Sequence, residues 1–153
     1  MNALEHKVPP PAVALILGAL MWLISRYEPT LSLDVPWRTA VAIALFITGA
    51  MIALSGVWEF HRAKTTVNPL SPEAATAMVT SGIYRFSRNP MYLGLLLALC
   101  SWAVWLSHVL ALALPPLFVL YINRFQIVPE ERALSTKFGG QFSSYTRAVR
   151  RWL

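Results

Sequence analysis

Three long uncharged runs alternate with charged segments along the chain. Residues 8–25 and 39–58 form runs of 18 and 20 residues without a formal charge, and residues 89–123 form a run of 35. A helix needs roughly 17–25 residues to cross a bilayer, so each of the first two runs predicts one crossing. A straight helix over the third run would be about 52 Å long, whereas the hydrocarbon core is roughly 30 Å thick. The third run is therefore predicted to fold back as a helical hairpin.

The ends of the crossings are predicted from prolines, polar residues and aromatic residues. We expect four crossings, at Pro11–Tyr27, Thr39–Trp58, Pro90–Leu106 and Val109–Val128, with the hairpin turn at Ser107-His108. Proline is tolerated in the first turn of a helix, but Pro115-Pro116 inside the fourth crossing are expected to kink it. The pattern predicts an all-α integral membrane protein with about four transmembrane helices, of which the last two form a tight hairpin.

Polar segments flank the hairpin on both sides. Residues 61–88 read as a connector, with one interfacial helical turn expected near Pro72–Met78. Residues 129–153 form a tail with an apolar side chain at every third or fourth position, which predicts an amphipathic helix, and Gly139-Gly140 are expected to split it in two. The length predicts a single membrane domain, residues 1–153, made of two N-terminal crossings (1–60), the connector (61–88), the hairpin (89–128) and the tail.

Composition and charge agree with a membrane protein. Hydrophobic residues make up 56% of the chain and charged residues 13%, against roughly 25% charged in an ordinary soluble domain. The net charge of +6 could indicate a protein that binds nucleic acid, but eleven of the thirteen lysines and arginines fall on one side of the membrane in the predicted topology. By the positive-inside rule, both termini of this predicted multi-pass protein are expected to be cytoplasmic, and no nucleic-acid partner is expected. Three scattered histidines and one cysteine predict no metal site.

The arginines near the end of the tail have a simple interpretation. An amphipathic helix that carries basic side chains commonly lies on anionic lipid at the membrane surface. We therefore interpret Arg147, Arg150 and Arg151 as contacts to membrane lipid.

The candidate chemistry lies in two polar segments, one before and one after the hairpin. The first reads GIYRFSRNPMYLG and the second Pro-Glu-Glu-Arg; they supply Tyr84, Arg85, Arg88, Tyr92, Glu130 and Glu131. Both segments are predicted on the same side of the membrane, so the hairpin should bring them together. Arginine can bind a carboxylate or phosphate through paired hydrogen bonds, and glutamate can accept from ribose or amino groups. The sequence has no Gly-rich nucleotide loop, zinc-protease motif or nucleophile elbow, so any cofactor would be held at helix ends.

Each of these residues also has a purely structural interpretation. The arginines and tyrosines could be interfacial anchors, and the two glutamates could be charges favoured near a helix N-terminus. Asn89-Pro90 is a good helix start whatever the function, because asparagine caps helices and proline suits the first turn.

The stretch SGIYRFSRNPMYLG, followed after the hairpin by EERALSTKFGGQFSSYTRAVRRWL, resembles the isoprenylcysteine carboxyl methyltransferase family, a superfamily that also takes in phospholipid N-methyltransferases. The likeness covers about residues 65–153. It implies that S-adenosylmethionine binds at the cytoplasmic end of the last helices and is covered by the tail. Family members often carry Arg-His-Pro where this chain has Arg88-Asn89-Pro90, and an asparagine cannot act as a titrating base.

The resemblance also implies roles for individual residues. Arg88 or Arg85 would bind the carboxylate of the cofactor, and Glu130 and Glu131 would bind its amino or ribose groups, with Tyr84 beside them. Tyr92, four residues after Arg88 on the same helical face, could contact the sulfonium. Arg88, Asn89 and Tyr92 are the candidate catalytic residues; methyl transfer can depend largely on positioning and exclusion of water.

The acceptor is left open by the sequence, as is the oligomeric state. A small or lipophilic molecule that enters from the bilayer is expected, and an isoprenylated cysteine carboxylate, a phospholipid amine or a thiol would each be compatible. Two alternatives remain. Membrane reductases of the sterol-reductase type, which use NADPH, resemble the same C-terminal pattern, and the scaffold could also serve a membrane protein without enzymatic activity.

Overall fold

The computed structural model describes residues 7–28, 31, 33, 36–64 and 77–153 as a helical protein, with no β-strand in those ranges. The α-helices are α1 (Pro10–Tyr27), α2 (Arg38–Arg62), α3 (Pro90–Leu106), α4 (Leu114–Ile122) and α5 (Val128–Ala148). Short 3-10 helices at Gly82–Arg85 and Ala111–Ala113 precede α3 and α4, and a π-helical segment, Asn123–Ile127, joins α4 to α5. The predicted all-α membrane fold is confirmed.

Three helical stretches are long and apolar enough to cross a membrane, namely Pro10–Tyr27, Arg38–Arg62 and the continuous stretch Ala111–Ala148. Helix α3 is 17 residues long and equally apolar, which gives it a length of about 25 Å. Large apolar side chains of α2, such as Phe46 and Leu54, are exposed, as expected for a surface that faces lipid. These features support a multi-pass membrane protein.

Helices α2 and α3 approach each other closely because both carry glycine at the contact. A Cβ atom placed on Gly94 would lie 2.6 Å from both the Cβ of Ala53 and the carbonyl oxygen of Gly49. Small residues allow such close approach between membrane helices. Farther along, the Ser101 hydroxyl donates a 2.7 Å hydrogen bond to the carbonyl of Ala42. At the start of α3, a Cβ atom placed on Gly56 of α2 would lie 3.2 Å from Pro90, so the part of α3 that carries the candidate site is also held against α2.

A second interface of α3 contains most of the buried apolar side chains. Met21 of α1, Leu99 of α3, Phe118 of α4 and Ile127 of the π-helical segment belong to one buried cluster. The Trp102 indole donates a 3.0 Å hydrogen bond to a backbone carbonyl of α1. Helix α3 is thus the central helix, and the other crossings pack around it.

The hairpin turn lies where the sequence predicts it. Helix α3 ends at Leu106, and Ser107 adopts a left-handed conformation with φ 49°. His108 is fully buried, and its Nε2 lies 2.7 Å from the carbonyl oxygen of Glu28 at the end of α1. The Leu33 amide donates a 2.6 Å hydrogen bond to the Ser107 carbonyl. The loop after α1 is therefore attached to the hairpin turn.

One expected feature of the hairpin is wrong. Pro115 and Pro116 do not kink the fourth crossing, because α4 begins at Leu114 and the two prolines occupy its first turn, where an amide has no partner within the helix. The backbone leaves α-helical geometry later, in the π-helical segment.

The tail bends as predicted. Gly139 interrupts α5 with non-helical dihedral angles, φ 52° and ψ −121°, a conformation that glycine adopts readily because it lacks a Cβ atom. The helical turn expected near Pro72–Met78 falls largely on residues 65–76, which lie outside the described part of the chain.

Candidate functional site

The start of α3 is in contact with the end of the tail. The Arg88 amide donates a 3.1 Å hydrogen bond to the carbonyl of Arg150, and the Asn89 side-chain amide donates a 2.9 Å hydrogen bond to the carbonyl of Arg151. Asn89 precedes α3, but its side chain makes no capping hydrogen bond to the helix. Helix α3 therefore starts at Asn89-Pro90 as expected, but the expected side-chain cap is wrong, since the Asn89 side chain holds the tail.

Two arginines share one carboxylate at this contact. Nη2 of Arg88 lies 2.9 Å from Oε1 of Glu131, while Arg151 binds the same carboxylate through Nη2 at 2.6 Å and Nε at 3.1 Å. The side chains of Arg88, Glu131 and Arg151 are 13%, 22% and 36% exposed. Paired bonds between guanidinium and carboxylate groups are strong and geometrically specific. We call these three side chains the charged cluster.

The second glutamate binds a tyrosine. The Tyr92 hydroxyl, on the first turns of α3, donates a 3.1 Å hydrogen bond to Oε2 of Glu130. Helix α5 continues directly from the π-helical segment, so Glu130 and Glu131 do not lie at a free helix N-terminus. The helix dipole alone therefore does not explain why two carboxylates stand at this point of the chain.

Tyr84 is a buried residue of the 3-10 helix that precedes α3. Its side chain is 4% exposed, its hydroxyl has no hydrogen-bond partner among the described residues, and its backbone carbonyl accepts a 2.8 Å hydrogen bond from the Tyr145 hydroxyl. Burial, followed by the nearby negative charge of Glu130, raises the pKa of the Tyr84 phenol well above its usual range. Tyr84 is therefore a neutral phenol that packs against Phe60 of α2 and is bonded to the tail through Tyr145.

An open cleft of about 430 Å³ lies beside the charged cluster, between the two halves of α5 that the bend at Gly139 separates. It is lined by Arg88, Val128, Glu131, Arg132, Ser135, Phe142, Ser143, Thr146 and Arg151. Three guanidinium groups, one carboxylate and several hydroxyls therefore surround this space. Such a set can bind an anionic group and can also accept hydrogen bonds from an amino or hydroxyl group.

The sequence-based candidates occupy different places. Arg88 and Glu131 line the cleft, whereas Tyr92 and Glu130 pair with each other and are not among its lining residues. Arg85 is exposed and is also not among them. Within the described ranges, no group of three histidine, cysteine or acidic side chains could hold a metal ion.

Arg151 is a site residue that the sequence did not reveal. It was expected on anionic lipid together with Arg147 and Arg150, but its guanidinium binds Glu131. The correction has a physical reason: Glu131 and Arg151 lie 20 residues apart and meet only because the chain bends at Gly139. No periodicity in the sequence reports the direction of that bend.

The fold and the cleft together define a multi-pass helical membrane protein with a charged site at the end of a helical hairpin. The chain belongs to the phospholipid methyltransferase family, whose profile matches residues 37–141. Protein-S-isoprenylcysteine O-methyltransferase A of Arabidopsis thaliana is 28% identical over 117 residues, which cover 74% of this chain and 57% of the plant protein. An uncharacterized protein of Haemophilus influenzae is 49% identical over 63 residues, which are 41% of this chain and the full length of that protein. No solved structure matches the chain.

These matches confirm the resemblance seen in the sequence and support a membrane methyltransferase. The region that the family profile matches contains both polar segments and the hairpin between them. It ends before Arg151, so the third member of the charged cluster lies beyond the part of the chain that defines the family.

Proposed function

We propose that the protein is a methyltransferase that uses S-adenosylmethionine and methylates a small or lipophilic acceptor at the membrane. The observation that carries this proposal is the charged cluster of Arg88, Glu131 and Arg151 on the wall of a cleft of about 430 Å³, in a chain of the phospholipid methyltransferase family. The cluster joins the two polar segments that flank the hairpin.

The residues of the cleft fit the chemical groups of this cofactor. S-adenosylmethionine carries a carboxylate, an amino group, a ribose diol and a positively charged sulfur. Arg88 lines the cleft and uses its two terminal nitrogens for one hydrogen bond each, to the Thr146 carbonyl and to Glu131; because a guanidinium has five N–H groups, donors remain for a carboxylate. Glu131 and the hydroxyls of Ser135 and Thr146 can accept from the amino group and the ribose. The donor and acceptor set therefore matches a ligand that carries both kinds of group.

We assign roles to three residues of the first polar segment. Arg88 binds and orients the carboxylate, and it is a better candidate for this than Arg85, which is exposed and lies outside the cleft. Tyr92 does not line the cleft; its hydroxyl is bonded to Glu130, the neighbour of Glu131, and we assign it the role of positioning this segment of α5 beside the cleft. Asn89 stands beside them and holds the tail in place through the Arg151 carbonyl.

When bound, the cofactor would supply an electrophilic methyl group, which a nucleophilic atom of the acceptor takes while the sulfur keeps the bonding electron pair. The protein then contributes the position of the two reactants, and such positioning can account for much of the rate. Asn89 replaces the histidine that many members of the family carry, so no residue at that position accepts a proton.

The acceptor is proposed to come from the membrane. The family takes its name from phospholipids and the plant relative from an isoprenylated cysteine, and both substrates are lipophilic. We place the cleft and both termini on the cytoplasmic side, because most of the cations gather on that side of the topology. The whole chain, residues 1–153, is taken as one domain.

The proposal is tested by calorimetric titration of the purified protein in detergent with S-adenosylmethionine, S-adenosylhomocysteine and NADPH. We expect the two adenosyl ligands to bind and NADPH not to bind. Binding of NADPH alone would indicate a reductase, and binding of none of the three would indicate a protein without this enzymatic activity.

A pair of variants shows whether the ligand occupies the cleft. Arg88→Ala is expected to weaken the binding of S-adenosylhomocysteine at least tenfold, because a hydrogen bond to a charged group contributes about 1.5–3 kcal/mol. Arg147→Ala is the matched control, since it removes an exposed arginine of α5 that does not line the cleft. Equal affinities in the two variants would contradict the proposed site.

A further inference from the structure

The last five residues of the described chain form a non-helical segment that lies along the candidate site. Helix α5 ends at Ala148, and Val149 adopts extended dihedral angles of φ −125° and ψ 133°. We call residues 149–153 the strap. Its backbone accepts the two hydrogen bonds from Arg88 and Asn89 at the start of α3, at 3.1 and 2.9 Å. One face of the strap is therefore attached to the first half of the hairpin.

The strap has a second attachment, on the other half of the hairpin. The Trp152 indole donates a 3.1 Å hydrogen bond to Oδ1 of Asn123, and its ring packs against the buried apolar cluster. Asn123 is the first residue of the π-helical segment, where the α-helical hydrogen-bond pattern is interrupted. Such segments are frequently found at functional sites. Asn123 is not among the residues that line the cleft, and its side chain is bonded to Trp152 of the strap, so we expect its effect on ligand binding to pass through Trp152.

We propose that Asn123 is a positioning residue of the donor site. By binding Trp152 it fixes the strap at both ends of the hairpin, and it thereby holds the Arg151 guanidinium on the wall of the cleft. This inference rests on the proposed function, because it assigns a task to Arg151 in binding the methyl donor.

The physical argument concerns the freedom of the Arg151 side chain. This side chain is 36% exposed, and an arginine loses considerable rotamer entropy when it is held in one orientation. The backbone around Arg151 is fixed by three hydrogen bonds: the Arg150 and Arg151 carbonyls accept from Arg88 and Asn89 at the start of α3, and the next residue, Trp152, donates to Asn123. Loss of the bond to Asn123 leaves the strap hydrogen-bonded to the first half of the hairpin only, and the Arg151 guanidinium is then carried by a segment that is no longer fixed on both halves. A bound ligand would then dissociate faster.

The test uses Asn123→Ala, Trp152→Phe and the double variant. Each single change removes one partner of the same hydrogen bond, and phenylalanine retains an aromatic ring for packing. A matched control is Trp102→Phe, which removes an indole hydrogen bond of similar length, 3.0 Å, to a backbone carbonyl of α1 away from the cleft. The ligand is S-adenosylhomocysteine, measured by calorimetry and by the rate of its dissociation.

We expect each single variant to bind S-adenosylhomocysteine about three- to tenfold more weakly, the range that corresponds to the loss of one neutral hydrogen bond. The ligand should dissociate faster, while the number of binding sites per protein should stay the same. The Kd of the double variant should be no higher than the larger Kd of the two single variants, because both changes remove the same bond. Trp102→Phe should bind like the unchanged protein.

A second measurement needs no ligand. The Arg88 amide donates to the strap, so its hydrogen exchange in the ligand-free protein reports directly whether the strap is attached. It should exchange faster in Asn123→Ala and Trp152→Phe, and at the normal rate in Trp102→Phe.

Unchanged dissociation and exchange rates in both single variants, or fully additive effects in the double variant, would overturn the proposal. If the unchanged protein does not bind S-adenosylhomocysteine, the proposed function fails and this inference loses its ligand. Hydrogen exchange at Arg88 still shows in that case whether Asn123 holds the strap, so the two failures are distinguishable.

Discussion

Replacement of Glu131 by glutamine should weaken ligand binding, because this carboxylate orders two arginines of the cleft. It receives one hydrogen bond from Arg88 at 2.9 Å and two from Arg151, at 2.6 and 3.1 Å. Glutamine has the same shape, but one of its two terminal groups is a donor and would face a guanidinium, which has no acceptor. In Glu131→Gln the two positive charges would repel each other without a carboxylate between them.

The size of the effect follows from the burial of the three groups. Hydrogen bonds to charged groups contribute about 1.5–3 kcal/mol each when they are buried, whereas exposed ion pairs contribute about 1 kcal/mol or less. Arg88 is the least exposed of the three side chains, at 13%, and Arg151 is the most exposed, at 36%. We therefore discount the Arg151 bonds and expect a loss of about 2 kcal/mol in binding free energy. This corresponds to roughly a thirtyfold increase in the Kd for S-adenosylhomocysteine.

Calorimetry on Glu131→Gln measures this change, and Glu59→Gln is the matched control. Glu59 is a buried carboxylate at the end of α2 that accepts a hydrogen bond from Ser81 and does not line the cleft. The control should bind like the unchanged protein. Tighter binding by Glu131→Gln would refute the reasoning, because it would mean that the carboxylate competes with the ligand for the arginines. An unchanged Kd would show that the ligand binds elsewhere.

Two further predictions concern α3 and its contacts. Tyr92→Phe keeps the ring but removes the hydrogen bond to Glu130, and it should weaken S-adenosylhomocysteine binding about three- to tenfold. The control, Tyr121→Phe in α4, should leave the binding unchanged. Equal Kd values for the two variants in calorimetry would contradict a role for the Tyr92 hydroxyl. Gly94→Ala should lower the melting temperature in detergent, because overpacking a contact between helices typically costs about 1–3 kcal/mol. The control, Gly140→Ala, adds a Cβ atom that has no other atom within 4 Å, and it should leave the melting temperature unchanged. Equal melting temperatures for the two variants would contradict the close contact of α2 and α3.

The positions of the crossings could be predicted because they depend on local composition and on the thickness of a bilayer. Helix α3 occupies Pro90–Leu106, the range expected from the uncharged run, and the chain turns at Ser107 as expected. A run of 35 apolar residues has to fold back whatever its neighbours are. The effect of Pro115 and Pro116 could not be predicted, because it depends on where α4 begins after the turn.

The candidate site could be predicted only in part. A hairpin returns its two ends to the same side of the membrane, and the sequence therefore predicted that Arg88 and Glu131 lie near each other. It did not predict that Arg151 would bind the same carboxylate, or that Asn123 would bind Trp152. Those contacts depend on the direction of the bend at Gly139 and on the π-helical turn, and neither leaves a periodic pattern in the sequence.

The sequence by itself determined the helical membrane fold and the placement of charge at one end of the hairpin, because hydrophobic length and charge act locally, residue by residue. The tertiary structure decided which charges meet, because side chains far apart in sequence come into contact only when backbone bends set the direction of the tail. The cleft is built from such contacts: the Glu131 carboxylate and the Arg88 guanidinium come from the two sides of the hairpin, and the Arg151 guanidinium comes from the strap that follows α5.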